Sequence, residues 1–241
     1  MRAMSAAVFT AYLIVLGTGY LLRYLNLAYL KAHGRTVPPE FQGVIDPAQL
    51  KTISDYTLEN SRVRLVESII GNLFTVLFLF GGLLGAYDHW VVSVTGSLLW
   101  GGMLFSFILM YAGMLIDIPF SLYRNFKIEN RYGFNTMTRH LWLTDLLKSL
   151  AISSVLGAVV VLSALAIIQT SPVLWWLWVW TFFLAFSIFV MYISPFVIEP
   201  LFFKFEPVKA EGLEAKVRVL MEHAGLRVGR VLQVDASRRS R

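Results

Sequence analysis

The sequence predicts an all-α polytopic membrane protein, with five transmembrane helices followed by the start of a cytoplasmic α/β domain. Of the 241 residues, 57% are hydrophobic and 15% are charged, and the mean hydropathy is +0.64. A soluble domain carries about 25% charged residues, so this composition already indicates a membrane protein. Two further observations support the prediction: five apolar stretches reach the length of a membrane helix, and the cations concentrate in alternate connections.

The five predicted spans are each long enough for a helix to cross the hydrocarbon core, which takes about 20 residues. They are residues 6–29, 66–86, 96–118, 150–168 and 173–194. Tryptophans such as Trp90 and Trp100 fall near span ends, where they are interpreted as interfacial anchors. Residues 1–208 are therefore predicted to form an N-terminal membrane domain, and 209–241 the start of a separate domain.

The connections between the spans differ sharply in charge. Segments 31–65 and 119–148 each contain five Lys or Arg residues, and the tail after residue 194 contains nine, whereas links 87–95 and 169–172 contain none. The positive-inside rule then predicts that the N-terminus is outside and that both basic segments and the tail are cytoplasmic. Because topology accounts for the net charge of +6, nucleic acid is not an expected partner.

Cap signals predict where two helices begin. Asp46 precedes Pro47, with Gln49 placed to complete a capping box, and the helix is expected to run into the second span. It is expected either to lie on the membrane surface or to extend the span into the cytoplasm. Later in the chain, Gly133 marks a turn and Thr138 is a predicted N-cap for a helix leading into the fourth span.

The last part of the chain has the pattern of a soluble α/β segment. An amphipathic helix is predicted over 213–224 with Gly225 as its C-cap, followed by a strand over 230–235. No partner strand is predicted elsewhere, and a single strand has no ladder. A domain that is cut short is therefore expected, in preference to a partly disordered basic tail.

No assembled catalytic or metal site is predicted from the residues themselves. The chain has no cysteine, and its four histidines include no pair spaced i, i+4. Neither a Gly-rich phosphate loop nor a G-x-S-x-G motif occurs. Two acids, Glu67 and Asp117, fall near span ends, where either a bundle interior or plain hydration at the interface accounts for them.

Three segments carry a resemblance to a known family. They are FKIENRYGFNTMT at 126–138, followed by Trp142, Asp145 and Lys148; PFVIEPLFFKFEP at 195–207; and VDASRRS at 234–240. In this order and spacing they resemble the integral-membrane zinc metalloproteases of the type I CAAX prenyl protease family, in its N-terminal five-span region. The small departures from the family pattern are Asn130, Thr136 and Phe203.

The resemblance implies a helical intramembrane chamber whose zinc activates a water for peptide-bond cleavage. The zinc would be held by an H-E-x-x-H helix and a later Glu, all expected beyond Arg241, so no zinc and no activity are expected of this chain alone. The expected partners are the lipid bilayer and a membrane-associated or prenylated peptide. The alternative is a non-catalytic membrane protein, a transporter component or scaffold. The candidate chamber-rim or substrate-side residues are Glu129, Asn135, Thr138, Asp145 and Arg238.

Overall fold

A computed structural model of the chain describes residues 2–37, 39–43, 46–209, 212–226 and 229–234. Its contacts divide the chain into two compact units. Unit 1 comprises Met1–Gly96 and Ile108–Asn135, and unit 2 comprises Ser97–Phe107 and Thr136–Arg241.

The described residues are almost entirely helical. In chain order the elements are α1 (Arg2–His33), a 3₁₀ turn (Pro39–Phe41), α2 (Pro47–Phe80), α3 (Leu83–Val94), α4 (Leu98–Tyr123), a π-helical turn (Arg124–Ile128), α5 (Glu129–Arg131), α6 (Arg139–Thr170), α7 (Trp175–Ile193), a second π-helical turn (Ser194–Ile198), α8 (Glu199–Phe202), β1 (Phe205–Pro207), α9 (Leu213–His223) and β2 (Leu232–Val234).

Five helical stretches are long and apolar enough to cross a membrane, which confirms the predicted number of spans. They are Ala6–His33, Pro47–Phe80, Leu98–Arg131, Arg139–Thr170 and Trp175–Phe202. Their large apolar side chains are mostly exposed on the chain itself, as with Val15 (69%) and Leu115 (68%). Such a surface suits a lipid solvent, which is as apolar as the side chains.

The cap predicted at the start of the second helix is confirmed. The Asp46 side chain accepts the Ala48 N–H at 3.0 Å, and Pro47 occupies the first helical position. From there α2 continues without interruption for 34 residues. The helix therefore extends the span beyond its apolar part rather than forming a separate surface helix.

The predicted end of the second span is wrong. The span was expected over 66–86 with a link at 87–95, but α2 ends at Phe80 and α3 begins at Leu83. The break lies at two glycines: Gly82 has φ +84°, and a Cβ on Gly81 would collide with the carbonyl of the preceding turn. Apolar composition continues through this break, so the hydropathy pattern alone does not show it.

Helix α3 occupies the segment that was predicted to be a link. It has 12 residues, too few to cross the hydrocarbon core. Tyr87 contacts Phe78 of α2 at a ring separation of 5.9 Å and stacks on Trp90 at 6.0 Å. The Tyr87–Phe78 contact holds α3 against the end of α2, and the Tyr87–Trp90 stacking lies within α3.

A ladder of polar side chains joins α1 to α2 within unit 1. The Tyr12 hydroxyl donates to Asn72 Oδ1 at 3.0 Å, and Asn72 Nδ2 donates to the Tyr20 hydroxyl at 2.8 Å and to Ser68 Oγ at 3.2 Å. Lipid supplies no hydrophobic force between helices, so interhelical hydrogen bonds of this kind contribute to their association.

The segment 119–148 is mostly helical rather than a loop. Helix α4 continues past Pro119 to Tyr123 and passes through a π-helical turn into α5. The charges mark where the chain leaves the apolar region, but they do not interrupt its backbone hydrogen bonds. The predicted turn is confirmed by φ +72° at Gly133, and the predicted cap by the Leu141 N–H that Thr138 Oγ1 accepts at 3.1 Å.

In unit 2 the helix preceding 195–207 continues further than predicted. The fifth span was expected over 173–194, whereas the helical path continues from α7 through the π-helical turn Ser194–Ile198 into α8. Pro195 lacks an N–H, and its ring clashes in a regular helix. A π-helical turn changes the local hydrogen-bond pattern at that point and lets the helical path continue to Phe202.

The strand near the end of the chain has a partner, which corrects the expectation of an unpaired strand. Strands β1 and β2 are antiparallel, with Phe205 opposite Val234 and Pro207 opposite Leu232. The backbone N–H of Lys209 also donates to the Gln233 side chain at 3.1 Å. Three residues ending in proline show no alternation, so β1 has no sequence signature. The unpaired-strand argument for a shortened domain therefore fails.

The predicted amphipathic helix near the end is confirmed as α9. Gly225 follows it with φ +73°, the Gly225 N–H bonds Glu222 O at 2.9 Å, and the Leu226 N–H bonds Met221 O at 2.9 Å. This pair of bonds is a Schellman motif, with glycine at the position that needs a positive φ.

Candidate functional site

The first of the three family-like segments forms a tight cap in unit 1, which we call the turn cap (residues 126–135). Ile128 is completely buried, and its carbonyl accepts the Tyr132 N–H at 3.2 Å. The Glu129 carbonyl accepts two N–H groups, from Phe134 at 2.9 Å and from Asn135 at 3.2 Å. The backbone of the cap is thus closed on itself around one apolar side chain.

The turn cap packs against the N-terminal part of α2. The ring of Tyr56 meets Tyr132 edge-on at 5.3 Å and Phe134 edge-on at 5.1 Å. Nearby, Arg131 Nη1 lies 2.5 Å from Glu59 Oε1. Aromatic contacts of this geometry contribute about 0.5–1.5 kcal/mol each beyond buried area. The cap therefore fixes the position of the chain where it leaves α4.

The hydroxyl of Tyr132 is hydrogen-bonded to the same Glu59 carboxylate. Burial raises the pKa of Tyr132, and the bond to Glu59 and the negative charges of Glu59 and Asp55 raise it further, against a smaller opposing effect of Arg131. The neutral phenol is thereby favoured, so Tyr132 acts here as a donor to Glu59 and not as a base.

The acid predicted near the second span has a specific partner. Glu67 pairs with Arg124 from the first π-helical turn, and both side chains are mostly shielded, with 21% and 25% exposure. Pairing of this kind is what makes a charge tolerable at that depth. Glu67 is therefore held in an ion pair between two segments and is not simply hydrated. Asp117, in contrast, has an exposed side chain on α4.

The predicted rim residues divide between the two units. Glu129 and Asn135 meet in the turn cap of unit 1, where Asn135 Nδ2 also donates to Asn130 Oδ1 at 2.7 Å. Thr138 and Asp145 belong to unit 2, the first as the cap of α6 and the second half-buried on the same helix. Arg238 lies outside the described residues. A role for these residues at a chamber rim stays a prediction.

One contact in unit 2 joins Lys148, which follows the first family-like segment, to the second family-like segment (195–207). The ammonium of Lys148 donates to the Leu201 carbonyl at 2.7 Å and lies 6.0 Å from the Phe202 ring. The contact ties α6 to α8 in unit 2. Local spacing shows only neighbours on one helix, so a partner 53 positions away has no sequence signal.

The described residues do not fit a zinc ion. Among them, no group of three His, Cys, Asp or Glu side chains is placed to hold a metal. No zinc-dependent step is therefore assigned to the residues described.

Residues 26–204 match the family described as CAAX prenyl protease N-terminal, five membrane helices. The chain belongs to this family. The match includes all of the turn cap and four of the five spans in full, and it confirms the resemblance to the family; of the three segments it contains the first and most of the second.

Relatives from distant organisms cover most of this chain. The CAAX prenyl protease 1 homolog of Oryza sativa subsp. japonica is 30% identical over 216 residues, which is 85% of this chain and 50% of that protein. CAAX prenyl protease 1 of Saccharomyces cerevisiae is 29% identical over 233 residues, 88% of this chain and 49% of that protein. The metalloprotease YhfN of Bacillus subtilis is 27% identical over 168 residues, 70% and 39% of the two chains.

The fold also matches a solved structure. The crystal structure of S. mikatae Ste24p aligns with a TM-score of 0.82 and 25% identity over 91% of this chain and 52% of that chain. This chain is thus an integral, multi-pass membrane protein of a protease family. It spans about half the length of the curated relatives it matches.

Proposed function

We propose that this chain is the N-terminal, membrane-embedded part of a zinc-dependent endopeptidase that cleaves membrane-associated or prenylated peptides. The observation that carries the proposal is the family match over residues 26–204, together with relatives that are named as proteases and metalloproteases. The fold similarity to Ste24p over 91% of this chain supports it as well.

The genomic sequence around the coding region provides the first test. Within about a hundred codons after codon 241, we expect an H-E-x-x-H motif on a predicted helix, the arrangement that places two imidazoles and a general base on one face. A different, non-metalloprotease sequence in that position would refute the proposal.

We further infer that the 241 residues alone neither hold zinc in stoichiometric amount nor cleave a peptide. The coverage of about half of each relative supports this inference. The test is elemental analysis of the purified chain, combined with an assay on a fluorogenic prenylated peptide. One zinc per chain, or chelator-sensitive cleavage, would overturn it.

We propose that Glu129, Asn135, Thr138, Asp145 and Arg238 are chamber-rim or substrate-side residues on the cytoplasmic side. The dense backbone bonding of the turn cap around Glu129 and Asn135 supports a bracing role. In a longer, zinc-containing protein, Asn135→Ala is expected to reduce cleavage several-fold, because the side-chain bond to Asn130 is lost. The matched control is Asn125→Ala, whose amide donates to Ser121, four residues earlier in the chain. Unchanged folding and cleavage in Asn135→Ala would refute the role.

The membrane orientation is also a proposal: N-terminus outside, with 31–65, 119–148 and the tail cytoplasmic. The sequence contains no cysteine, so a single introduced thiol reports its own accessibility. In intact cells a membrane-impermeant maleimide is expected to label Thr95→Cys, and to label Lys51→Cys only after permeabilisation. The reverse pattern would invert the topology.

A further inference from the structure

Unit 1 contains a basic cavity that the proposed peptidase function does not use. Its volume is about 380 Å³, and its lining includes three arginines from three different segments. The lining residues are Arg23, Arg64, Glu67, Ser68 and Arg124. Three guanidinium groups therefore face one carboxylate, which leaves an excess of positive charge in the cavity.

The pairing of these groups shows where that excess lies. Arg124 is neutralised by Glu67. Among the described residues, Arg23 donates to the backbone carbonyl of Arg64 at 3.4 Å. Within the part of the chain that the structure describes, neither Arg23 nor Arg64 forms an ion pair with an acidic side chain. Two guanidinium groups are thus available to an anion from outside the chain.

The level of the cavity relative to the apolar parts of the helices indicates which kind of anion would bind there. Ser68, which lines the cavity, is also hydrogen-bonded to Tyr20 and Asn72 in the polar ladder between the apolar parts of α1 and α2. The cavity therefore lies at the level where a span meets its polar end, and lipid phosphates occupy that level. Gly19 lies one turn before Arg23 on the same face of α1, and a Cβ on it would have no atom within 4 Å. The surface of α1 next to Arg23 is therefore open to an acyl chain.

We propose that Arg23, Arg64 and Arg124 form a binding site for the phosphate of an anionic glycerophospholipid. The planar guanidinium group presents paired donors that match phosphate oxygens, and basic pockets between membrane helices bind anionic head groups. The acyl chains would lie along the exposed apolar surface of α1, while Glu67 holds Arg124 in position.

Native mass spectrometry of the purified 241-residue chain in detergent tests this site without any peptidase readout, so it is independent of the proposed function. We expect phosphatidylglycerol to remain bound and zwitterionic phosphatidylcholine to dissociate. The variant Arg64→Gln is expected to weaken phosphatidylglycerol binding about fivefold, the effect of one cation near an anionic head group. A second variant, Arg23→Gln, is expected to weaken it to a similar degree.

The matched control is Arg62→Gln. Arg62 carries the same charge and is also exposed, but it lies two residues earlier on α2 and lines other cavities of unit 1. It is expected to leave phosphatidylglycerol binding unchanged. Equal loss in Arg62→Gln and Arg64→Gln would show that net charge alone attracts the lipid and would overturn the site. Retention of phosphatidylcholine at the level of phosphatidylglycerol would overturn it too.

A competition experiment distinguishes a lipid phosphate from free inorganic phosphate as the ligand of this cavity. Inorganic phosphate at the same concentration as the lipid is expected not to displace phosphatidylglycerol, because it makes no contact with the apolar surface of α1. Displacement would assign the cavity to a free phosphate and would refute the lipid assignment.

Discussion

Ile128 is the single fully buried side chain among the described residues, and its removal is expected to destabilise the turn cap by an amount that can be calculated. Ile128 has 0% exposure. Arg124, four residues earlier, pairs with Glu67, and the carbonyl of Glu129, the next residue, closes the turn. Replacing Ile128 with Ala removes three carbon atoms from this site. At about 0.8 kcal/mol for each buried methylene, the transfer loss is about 2.4 kcal/mol, and the remaining cavity raises the total to about 3 kcal/mol.

The chain offers a control with identical chemistry. Ile53 lies on the N-terminal part of α2 and is 46% exposed. Because it leaves no closed cavity and alanine has the higher helix propensity, Ile53→Ala is expected to cost less than about 1 kcal/mol. The intermediate variant Ile128→Val is expected to cost about 1 kcal/mol.

The measurement is equilibrium unfolding in mixed micelles, with SDS added to a nonionic detergent and the helix content followed by circular dichroism. The three variants and the unmodified chain are compared at the same protein-to-detergent ratio. If Ile128→Ala costs no more than Ile53→Ala, the turn cap is not held by this side chain, and the packing argument for it fails.

Two further predictions concern other parts of unit 1. Gly34→Ala is expected to lower the free energy of unfolding by about 1–3 kcal/mol in the same SDS titration, because the new Cβ would lie 2.5 Å from the Leu30 carbonyl oxygen. Gly17→Ala is expected to be neutral or stabilising, because no atom lies within 4 Å of its Cβ. Equal stability of the two variants would contradict this prediction. Tyr132 is expected to ionise at a higher pH in the folded chain than after unfolding, because burial and the Glu59 carboxylate raise its pKa. The stabilisation that the neutral Tyr132 phenol gives the folded chain is complete below the pKa of the unfolded chain, near 10, and is lost as the pH rises through the pKa of the folded chain. Ultraviolet titration of the folded chain minus that of Tyr132→Phe isolates this phenol; a difference curve with a midpoint no higher than that of the unfolded chain would refute the prediction.

Much of the fold follows from hydropathy and local caps. Five apolar stretches predicted five spans, and the side chains of Asp46 and Thr138 cap the helices that follow them. The two caps are local signals: each depends on a residue type and its neighbours within one turn. The same locality made the Schellman end at Gly225 predictable.

The break at Gly81–Gly82 has a local signal, the glycine pair, that a hydropathy pattern does not use, whereas the other errors come from contacts between residues far apart in the sequence. The break at Gly81–Gly82 lies inside a continuous apolar stretch, so a transfer scale passes through it. Strand β1 has three residues and pairs with a segment beyond α9. In the candidate site, Arg124 and Glu67 are recognisable as charges near a membrane, but their pairing depends on the packing of two helices distant in sequence.

The two π-helical turns have a consequence for insertions and deletions. A π-helical turn accommodates one residue more than an α-helical turn, so the chain after it is rotated by about 100° relative to an uninterrupted helix. In unit 1 this extra residue aims Arg131 at Glu59. Deleting one residue from Arg124–Ile128 would leave a regular helix of nearly the same length and hydropathy, with its last side chains pointing in the wrong direction. Chain length is therefore under tighter constraint in these five residues than in the connection around Gly43, where a surface turn absorbs the change.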